Sequence, residues 1–532
     1  MGSTFPYAVL LLVIRSVFSD DISDDRPCAP LQFDQDSVVC VCNATYCDSI
    51  AGSDGIPPPV NPIMYFSSWT SSRDGQRLNY TMGSFGKFQP NKYVYTAGNE
   101  TFQTILGFGG AFTDAATITM NSLSKNTRNN LLNSYFSSTG IGYTVGRVPM
   151  ASCDFSKQIY SYDDTDGDLS LDKFSLTEED IIFKIPAIKD AMSVSPRNLS
   201  LFGSPWSAPA WMKTNNNMTG KGTLKGSPGG SYFKAWAQYF VKFIQAYKDH
   251  GIDIWGITAQ NEPSDGMITN FPFQCMGWTP EMQRDFIASD LGPALEAAGL
   301  GHVKLMILDD DRVWLPYWAE VVLKEPASAK YVAGIAVHWY EDLFVPTSAL
   351  DLTYKQFGDK YFLLNTEACE QDLVNKDRSV LLGNWYRGER YFRDILEDLA
   401  HGVSGWVDWN LALDRTGGPN WQNNLADSPV IVDAEKDEFY KQPMFYAMAH
   451  FSKFVKPGSR ILSYTKNFTE DNDVEAIFYT SSEQFGVSVG ANFINTNVNE
   501  SVSITIKDPS NYGMISFDLP PKSFVTFAWW RA

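Results

Sequence analysis

The stretch Ile252–Pro263 reads "IDIWGITAQNEP". An apolar, β-branched run stops at a carboxylate, Glu262, with the amide of Asn261 before it and Pro263 behind it. An unbroken apolar run this short is the pattern of a strand covered on both faces. Seven more runs of the same kind occur: "TILGFGGAF" (104–112), "GYTVGRVPM" (142–150), "LSLFGSPW" (199–206), "VKLMILDDD" (303–311), "GIAVHWY" (334–340), "YFLLNTEA" (361–368) and "GVSGWVDWN" (402–410). Helical patterns fill the gaps. "YFKAWAQYFVKFIQAYKDHG" (232–251) carries an apolar stripe and stops at a glycine, and "TPEMQRDFIASDLGPALEAAG" (279–299) opens with Thr279 as N-cap and Pro280 at the first position. Strands alternating with helices imply a parallel sheet, and eight such units over about three hundred residues predict a (β/α)8 TIM barrel. A doubly wound open sheet is the alternative.

In such a barrel the chemistry gathers at the carboxyl ends of the strands. The fourth run ends in Asn261-Glu262 and the seventh in Thr366-Glu367-Ala368-Cys369. Two carboxylates from distant parts of the chain are therefore expected in one mouth, which is the machinery of glycoside hydrolysis; the retaining form needs them about 5–5.5 Å apart. A Glu-Pro pair alone is often only a turn. The aromatics at or after strand ends favour the catalytic reading, because sugars lay their C–H faces on such rings: Trp206, Phe271, Phe273, Trp339, Tyr340, Trp406 and Trp409. The run Asp309–Asp311 reads as a solvated strand end rather than a metal site. The five histidines (His250, His302, His338, His401 and His450) form no paired-histidine zinc motif, so neither metal nor cofactor is expected.

The remaining composition sets the context. The 532 residues are 44% hydrophobic and 19% charged, enough for a large core. A net charge of −19 and a pI near 4.7 leave no basic stripe for nucleic acid. The start, "MGSTFPYAVLLLVIRSVFSDD", has an apolar run from Tyr7 to Ile14 and small residues at Val17 and Ser19, and reads as a signal peptide over residues 1–19. Sequons at Asn43, Asn79, Asn99, Asn198, Asn217, Asn467 and Asn499 agree with a secretory route. No later window is long enough to span a membrane. Cys28, Cys40, Cys42 and Cys47 crowd one segment (28–60) and read as two disulfides with three possible pairings, whereas Cys153, Cys275 and Cys369 are scattered and read as buried thiols. From about Glu475 onward, period-two runs split by Asn, Gly and Pro predict an antiparallel β domain (460–532), which residues 61–100 would complete; the barrel is expected over 101–459.

The segments "GFGGAFTDAA", "RVPMASCDFS", "SPWSAPAWMKT", "TAQNEPSDG", "LMILDDDR", "AVHWY", "TEAC", "GWVDWNLALD" and "GGPNW", with Asp433–Arg460, resemble the acid glucosylceramidases of glycoside hydrolase family 30, from Cys28 to the end of the chain. This resemblance implies a retaining β-glucosidase acting on glucosylceramide, with steryl glucosides or a β-1,6-glucan as alternative substrates. A non-catalytic descendant is disfavoured because both glutamates are present. The resemblance also implies roles: Glu262 as acid/base, Glu367 as nucleophile, Asn261 on the sugar 2-hydroxyl, and Asp154, Trp206 and Trp409 around the glucose. Tyr340 would orient Glu367, Phe273 would line the entrance with Phe271, and Arg147 and His338 would support the centre. For such roles Glu262 needs a raised pKa and Glu367 needs hydrogen-bond donors. Also implied are the pairings Cys28–Cys40 and Cys42–Cys47, a discontinuous β-sandwich domain, a lysosomal lumenal or secreted location with peripheral membrane association, and a saposin-type activator with anionic lipid. The chain departs from a well-known member at Phe271, where that member has tyrosine, and at Asn365 and Thr366, where it has smaller residues.

Overall fold

The computed structural model describes residues 26–50, 65–87, 93–372, 378–468, 473–483, 486–511 and 513–531. The expected signal peptide lies outside them. All eight predicted runs form strands: β1 (Gly107–Ala111), β2 (Val145–Met150), β3 (Ser200–Pro205), β4 (Ile254–Thr258), β5 (Lys304–Asp311), β6 (Val332–His338), β7 (Phe362–Glu367) and β8 (Val403–Asn410). They pair in parallel, each with its chain neighbours, and β8 closes on β1. The open-sheet alternative is excluded by that closure. Side chains fill the interior: Val145, Phe202, Met306, Ala336, Leu364 and Val407 form one cluster, with Trp255 stacked on Phe362 at 5.8 Å. Each of the fully buried Val, Phe, Met and Leu side chains contributes about 1.5–3 kcal/mol, so the barrel has a solid floor and its chemistry is left to the opposite end.

The helices follow their sequence signals. Ser231–Asp249 buries Phe233, Trp236, Phe240, Phe243, Ile244 and Tyr247 along one stripe and ends before Gly251, whose φ of +78° suits glycine. The Thr279 hydroxyl accepts from Met282 N at 3.2 Å. The helix it caps is interrupted once, by a π turn over Ile287–Leu291 just before Gly292-Pro293. Pro293 has no N–H to give to the turn before it, and the ladder widens there.

Two further sheets flank the barrel. One has nine strands in the order Met514–Leu519, Val502–Lys507, Tyr93–Thr104, Arg460–Lys466, Val474–Glu483, Gly486–Asn495, Ser523–Trp530, Tyr65–Ser72 and Asn79–Ser84. Eight strand pairings join them, and all are antiparallel except Tyr93–Thr104 with Val502–Lys507. A bridge from Gly86 to Met514 joins the outer ends, so the sheet rolls around Phe66, Tyr95, Phe478, Phe493, Phe527 and Trp529 and its edges meet. The other sheet has five strands and joins the disulfide-bonded N-terminus (Pro30–Gln32, Val38–Asn43) to Glu438–Lys441, Val430–Asp433 and Leu413–Asp414, which follow β8. The disulfides are Cys28–Cys40 and Cys42–Cys47, while Cys153, Cys275 and Cys369 are free and buried. Val39, Ile431 and Tyr440 of this sheet pack in one cluster with Trp206 and Trp409, so the N-terminus backs the barrel mouth. Six of the seven sequon asparagines are exposed, and Asn43 is half-buried.

Candidate active site

Leaving β4, the chain threads between its neighbours: Ala259 N donates to Met306 O, Asn261 N to Pro205 O at 2.9 Å, and Glu262 N to Asp309 O at 2.8 Å. Glu262 takes a positive φ of +41°, and Leu308 and Asp309 also lie at positive φ where β5 bulges. These conformations cost a non-glycine residue on the order of 1–3 kcal/mol each. They turn the Asn261 and Glu262 side chains into the mouth, which answers why a buried strand ends in an amide and an acid.

Glu367 ends β7. Its Oε2 receives Arg147 Nη1 and its Oε1 receives the Tyr340 hydroxyl at 2.6 Å. Arg147 is fully buried and its remaining nitrogens are spoken for: Nε donates to Ser204 Oγ at 3.1 Å, and Nη2 to Asn261 Oδ1 at 2.7 Å and Asp309 Oδ2 at 2.8 Å. Its guanidinium lies 4.9 Å from the ring of Trp206 and 5.4 Å from that of Trp409, which stack on each other at 5.0 Å. One oxygen each of Glu262 and Glu367 and a ring nitrogen of His338 lie within 4.8 Å of one another. The two glutamates therefore converge in one pocket, at 17% and 7% side-chain exposure.

Beneath them is Asp309, fully buried. It accepts from Arg147, from Thr258 Oγ1 at 2.6 Å and from Thr366 Oγ1 at 2.6 Å, and its Oδ1 is 3.0 Å from His338 Nε2. The expectation of a solvated strand end fails here: Asp309 and Asp310 are buried, because the bulge in β5 folds them into the barrel. Burial alone would raise the Asp309 carboxyl, but Arg147 and His338 hold it far below the usual range. Burial opposes the charged form of His338 as well, yet Glu367, Asp309 and Glu262 carry it well above its ordinary value. Sequence reading missed Asp309; the available signal was that its run ends in an acid at the barrel mouth, as the fourth run does.

The pKa order of the two glutamates reverses the expectation. Burial raises both. The His338 hydrogen bond and charge, with a hydrogen bond from Asp265, bring Glu262 below its ordinary value. Glu367 stays above its own, because burial outweighs Arg147 and His338 and the charge of Glu262 adds to it. Arg147 and Tyr340 nonetheless both donate to Glu367.

Asp154 follows β2 and is nearly buried. Its Oδ2 accepts from Asn424 Nδ2 at 2.9 Å and Asn420 Nδ2 at 3.2 Å. Burial lifts it to about 7 against those two bonds, with the charge of Glu367 adding to the rise. Trp421 Nε1 donates to Cys153 O and Gln274 Oε1, both at 3.1 Å, tying this loop to the segment that bears Phe273. Asn420 lies in the "GGPNW" run and Asn424 three residues beyond it, but nothing in the sequence assigned them to Asp154.

Five of the seven aromatics stand at the mouth. Phe271 and Phe273 pair at 4.6 Å, and Phe273 and Tyr340 pack on the cluster of Trp206 and Trp409. Trp339 and Trp406 do not join them: both pack on Tyr391 of the helix Trp385–Ala400, outside the barrel. Side chains alternate across a strand, so a neighbouring position faces the other way. Among the described residues, two groups have ligand atoms close enough to hold a metal. In one, Cys42 and Cys47 are bonded to each other beside Asp48. In the other, Glu262, His338 and Glu367, the Arg147 guanidinium already supplies the positive charge.

Comparison with known proteins places this arrangement. The glycosyl hydrolase family 30 TIM-barrel domain matches residues 105–455. The lysosomal acid glucosylceramidase of Mus musculus is 46% identical over 95% of this chain and 96% of its own length. Putative glucosylceramidase 4 of Caenorhabditis elegans is 42% identical over 98% of each chain. Among solved structures, SrfJ from Salmonella typhimurium superposes with a TM-score of 0.78 at 29% identity, covering 88% of this chain and all of that one.

Proposed function

The chain belongs to glycosyl hydrolase family 30 and is a glycoside hydrolase, and from that premise we propose that it is a retaining β-glucosidase that cleaves glucosylceramide to glucose and ceramide. The observation that carries this reading is the approach of Glu262 and Glu367 oxygens to within 4.8 Å. That separation suits a direct attack by one carboxylate; inverting enzymes keep theirs about 6.5–9.5 Å apart to lodge a water.

Glu367 is the nucleophile. Tyr340 and Arg147 each hold one of its oxygens, which fixes the carboxylate and favours the ionised form. Its attack on the anomeric carbon forms a glucosyl ester as Glu262 hands a proton to the departing ceramide oxygen. Glu262 then takes a proton from water, which attacks the ester and frees Glu367. Asn261, whose Oδ1 is pinned by Arg147, presents its Nδ2 to the sugar 2-hydroxyl. Asp154, Trp206 and Trp409 bind the other hydroxyls and the sugar face.

A lipid substrate fits the apolar surroundings: Phe273 lines the entrance, and Leu343 and Phe344 after β6 are 73% and 84% exposed. No helix of the described residues is long and apolar enough to cross a membrane. The mouse relative's name supports a lysosomal lumenal site. Peripheral membrane binding, a saposin-type activator and anionic lipid are part of the same reading. The test is a cyclitol epoxide that traps the nucleophile, followed by peptide mapping. Label on Glu367, together with turnover of glucosylceramide in anionic vesicles, is the expected result. Label on any other residue, or turnover of soluble β-glucan alone, overturns it.

A further inference from the structure

Asp265 contributes a carboxyl that the mechanism above does not use. It begins a one-turn 3-10 segment, Asp265–Met267, and its carboxyl hydrogen-bonds that of Glu262. Two carboxyls form such a bond only when one of them keeps a proton. The turn that presses them together is fixed on several sides. Asp265 N donates to Glu262 O at 3.1 Å, Ser264 N to Asp310 Oδ2 at 3.1 Å, Trp278 N to Pro263 O at 3.1 Å, and Gly222 N to Gly266 O at 2.9 Å. A Cβ on Gly266 would stand 1.9 Å from Gly277 N, so no side chain fits there and the turn cannot relax outward. A capping role does not account for Asp265: the turn's N-cap is Ser264 and no side chain caps it.

The charges around the pair define what it can do. Glu262 faces His338 from β6 and Arg147 from β2, with Glu367 across the pocket on β7. Asp265 faces the acidic side: Glu262, Asp310 of β5 and the Cys275 thiol, with no cation among its main influences. Asp311, next along β5, feels the charges of Asp310 and Glu262. Burial and the Glu262 charge push Asp265 up to about 12, while Glu262 falls. A like-charged pair in contact titrates as a unit, its second proton held more tightly than either carboxyl would hold it alone.

We propose that Glu262 and Asp265 act as one carboxyl pair holding a single proton, with Asp265 the positioning residue that keeps this proton in the mouth as pH rises. The inference rests on Glu262 being the acid/base. In the first step the shared proton leaves through Glu262 to the glycosidic oxygen as its bond to the anomeric carbon breaks. The pair is then doubly ionised, and mutual repulsion makes it a strong base. In the second step it takes a proton from the attacking water, whose oxygen bonds to the anomeric carbon while the ester bond to Glu367 breaks. The pair regains its one proton and Glu367 its charge.

The test compares wild type, Asp265→Asn and Asp265→Glu across pH on glucosylceramide. Losing the last proton should be easier without the second carboxylate, so the alkaline limb of kcat/KM moves down by about one pH unit or more in Asp265→Asn. Above the optimum that is a loss of about tenfold beyond any loss at the optimum. Asp265→Glu should restore the limb in part. A uniform loss with an unmoved limb, or an upward shift, overturns the proposal. Infrared difference spectra at neutral pH judge it independently of turnover. Asp265→Asn should remove a protonated-carboxyl band and leave the carboxylate band unchanged; loss of a carboxylate band instead overturns the pairing. A wild type inactive on every β-glucoside would sink the functional reading, with the infrared result still deciding the pair.

Discussion

On the β2 and β7 side of the mouth, Glu367 faces donors: the Arg147 guanidinium on one oxygen and the Tyr340 hydroxyl on the other. On the β4 and β5 side, Glu262 keeps company with acids. Asp265 touches it, Asp310 anchors its turn through Ser264, and the countercharges are His338, 3.3 Å from Oε1, and behind it Arg147. The same residue type is thereby given two chemistries. A carboxylate clasped by donors is held in place for attack, and one set among carboxyls exchanges its proton with them. Asp309 lies under both, bonded to Arg147 and paired with His338, so a change on either side reaches the other through one buried acid.

Glu262→Gln breaks this contrast most severely. The amide cannot donate a proton, so turnover of glucosylceramide should fall by about 10²–10⁴-fold, while an activated aryl glucoside loses far less in forming the ester. Equal losses on both substrates would remove Glu262 from the acid role. Tyr340→Phe probes the other side. Glu367 loses a charge-assisted bond of about 1.5–3 kcal/mol, so kcat/KM should drop by about ten- to a hundredfold. The sign of the pH effect follows: without that donor the ionised form is less favoured, the Glu367 pKa rises, and the acid limb of kcat/KM moves to higher pH. An acid limb that stays put means that Tyr340 does not act through Glu367. Thr366→Val has the smallest effect on rate. It takes one donor from Asp309, lowering stability by about 1–3 kcal/mol and kcat by only a few-fold, as thermal denaturation and steady-state assays would record. A loss of activity as large as that of Tyr340→Phe would mean Asp309 controls the chemistry more directly than its place beneath the glutamates suggests.

Asn365 and Thr366, the two departures beside the nucleophile, serve different layers. Thr366 Oγ1 bonds Asp309 inside the barrel, while Asn365 Nδ2 donates to Asp398 at 3.0 Å on the helix outside. Alternation along β7 separates them. A sequence reader sees two larger polar residues next to a glutamate and cannot tell which one reaches the site.

The chain's own pattern was sufficient for the eight strands, their parallel order, the presence of a largely antiparallel β domain and the two glutamates at strand ends. Apolar periodicity and turn residues are local signals, and a barrel converts strand ends into a mouth by a general rule. Tertiary structure alone decided that Asp309 is buried, that Trp339 and Trp406 face away, that Arg147 ties Glu367 to Asp309 and Asn261 at once, and that the N-terminal strands support Trp206 and Trp409. The reason is that burial, pKa and hydrogen-bond partners are set by groups tens to hundreds of residues apart. Asp309 and Asp311 are the same residue two positions apart, yet one is locked in its charged form and the other pushed up to about 7, because only the first meets Arg147.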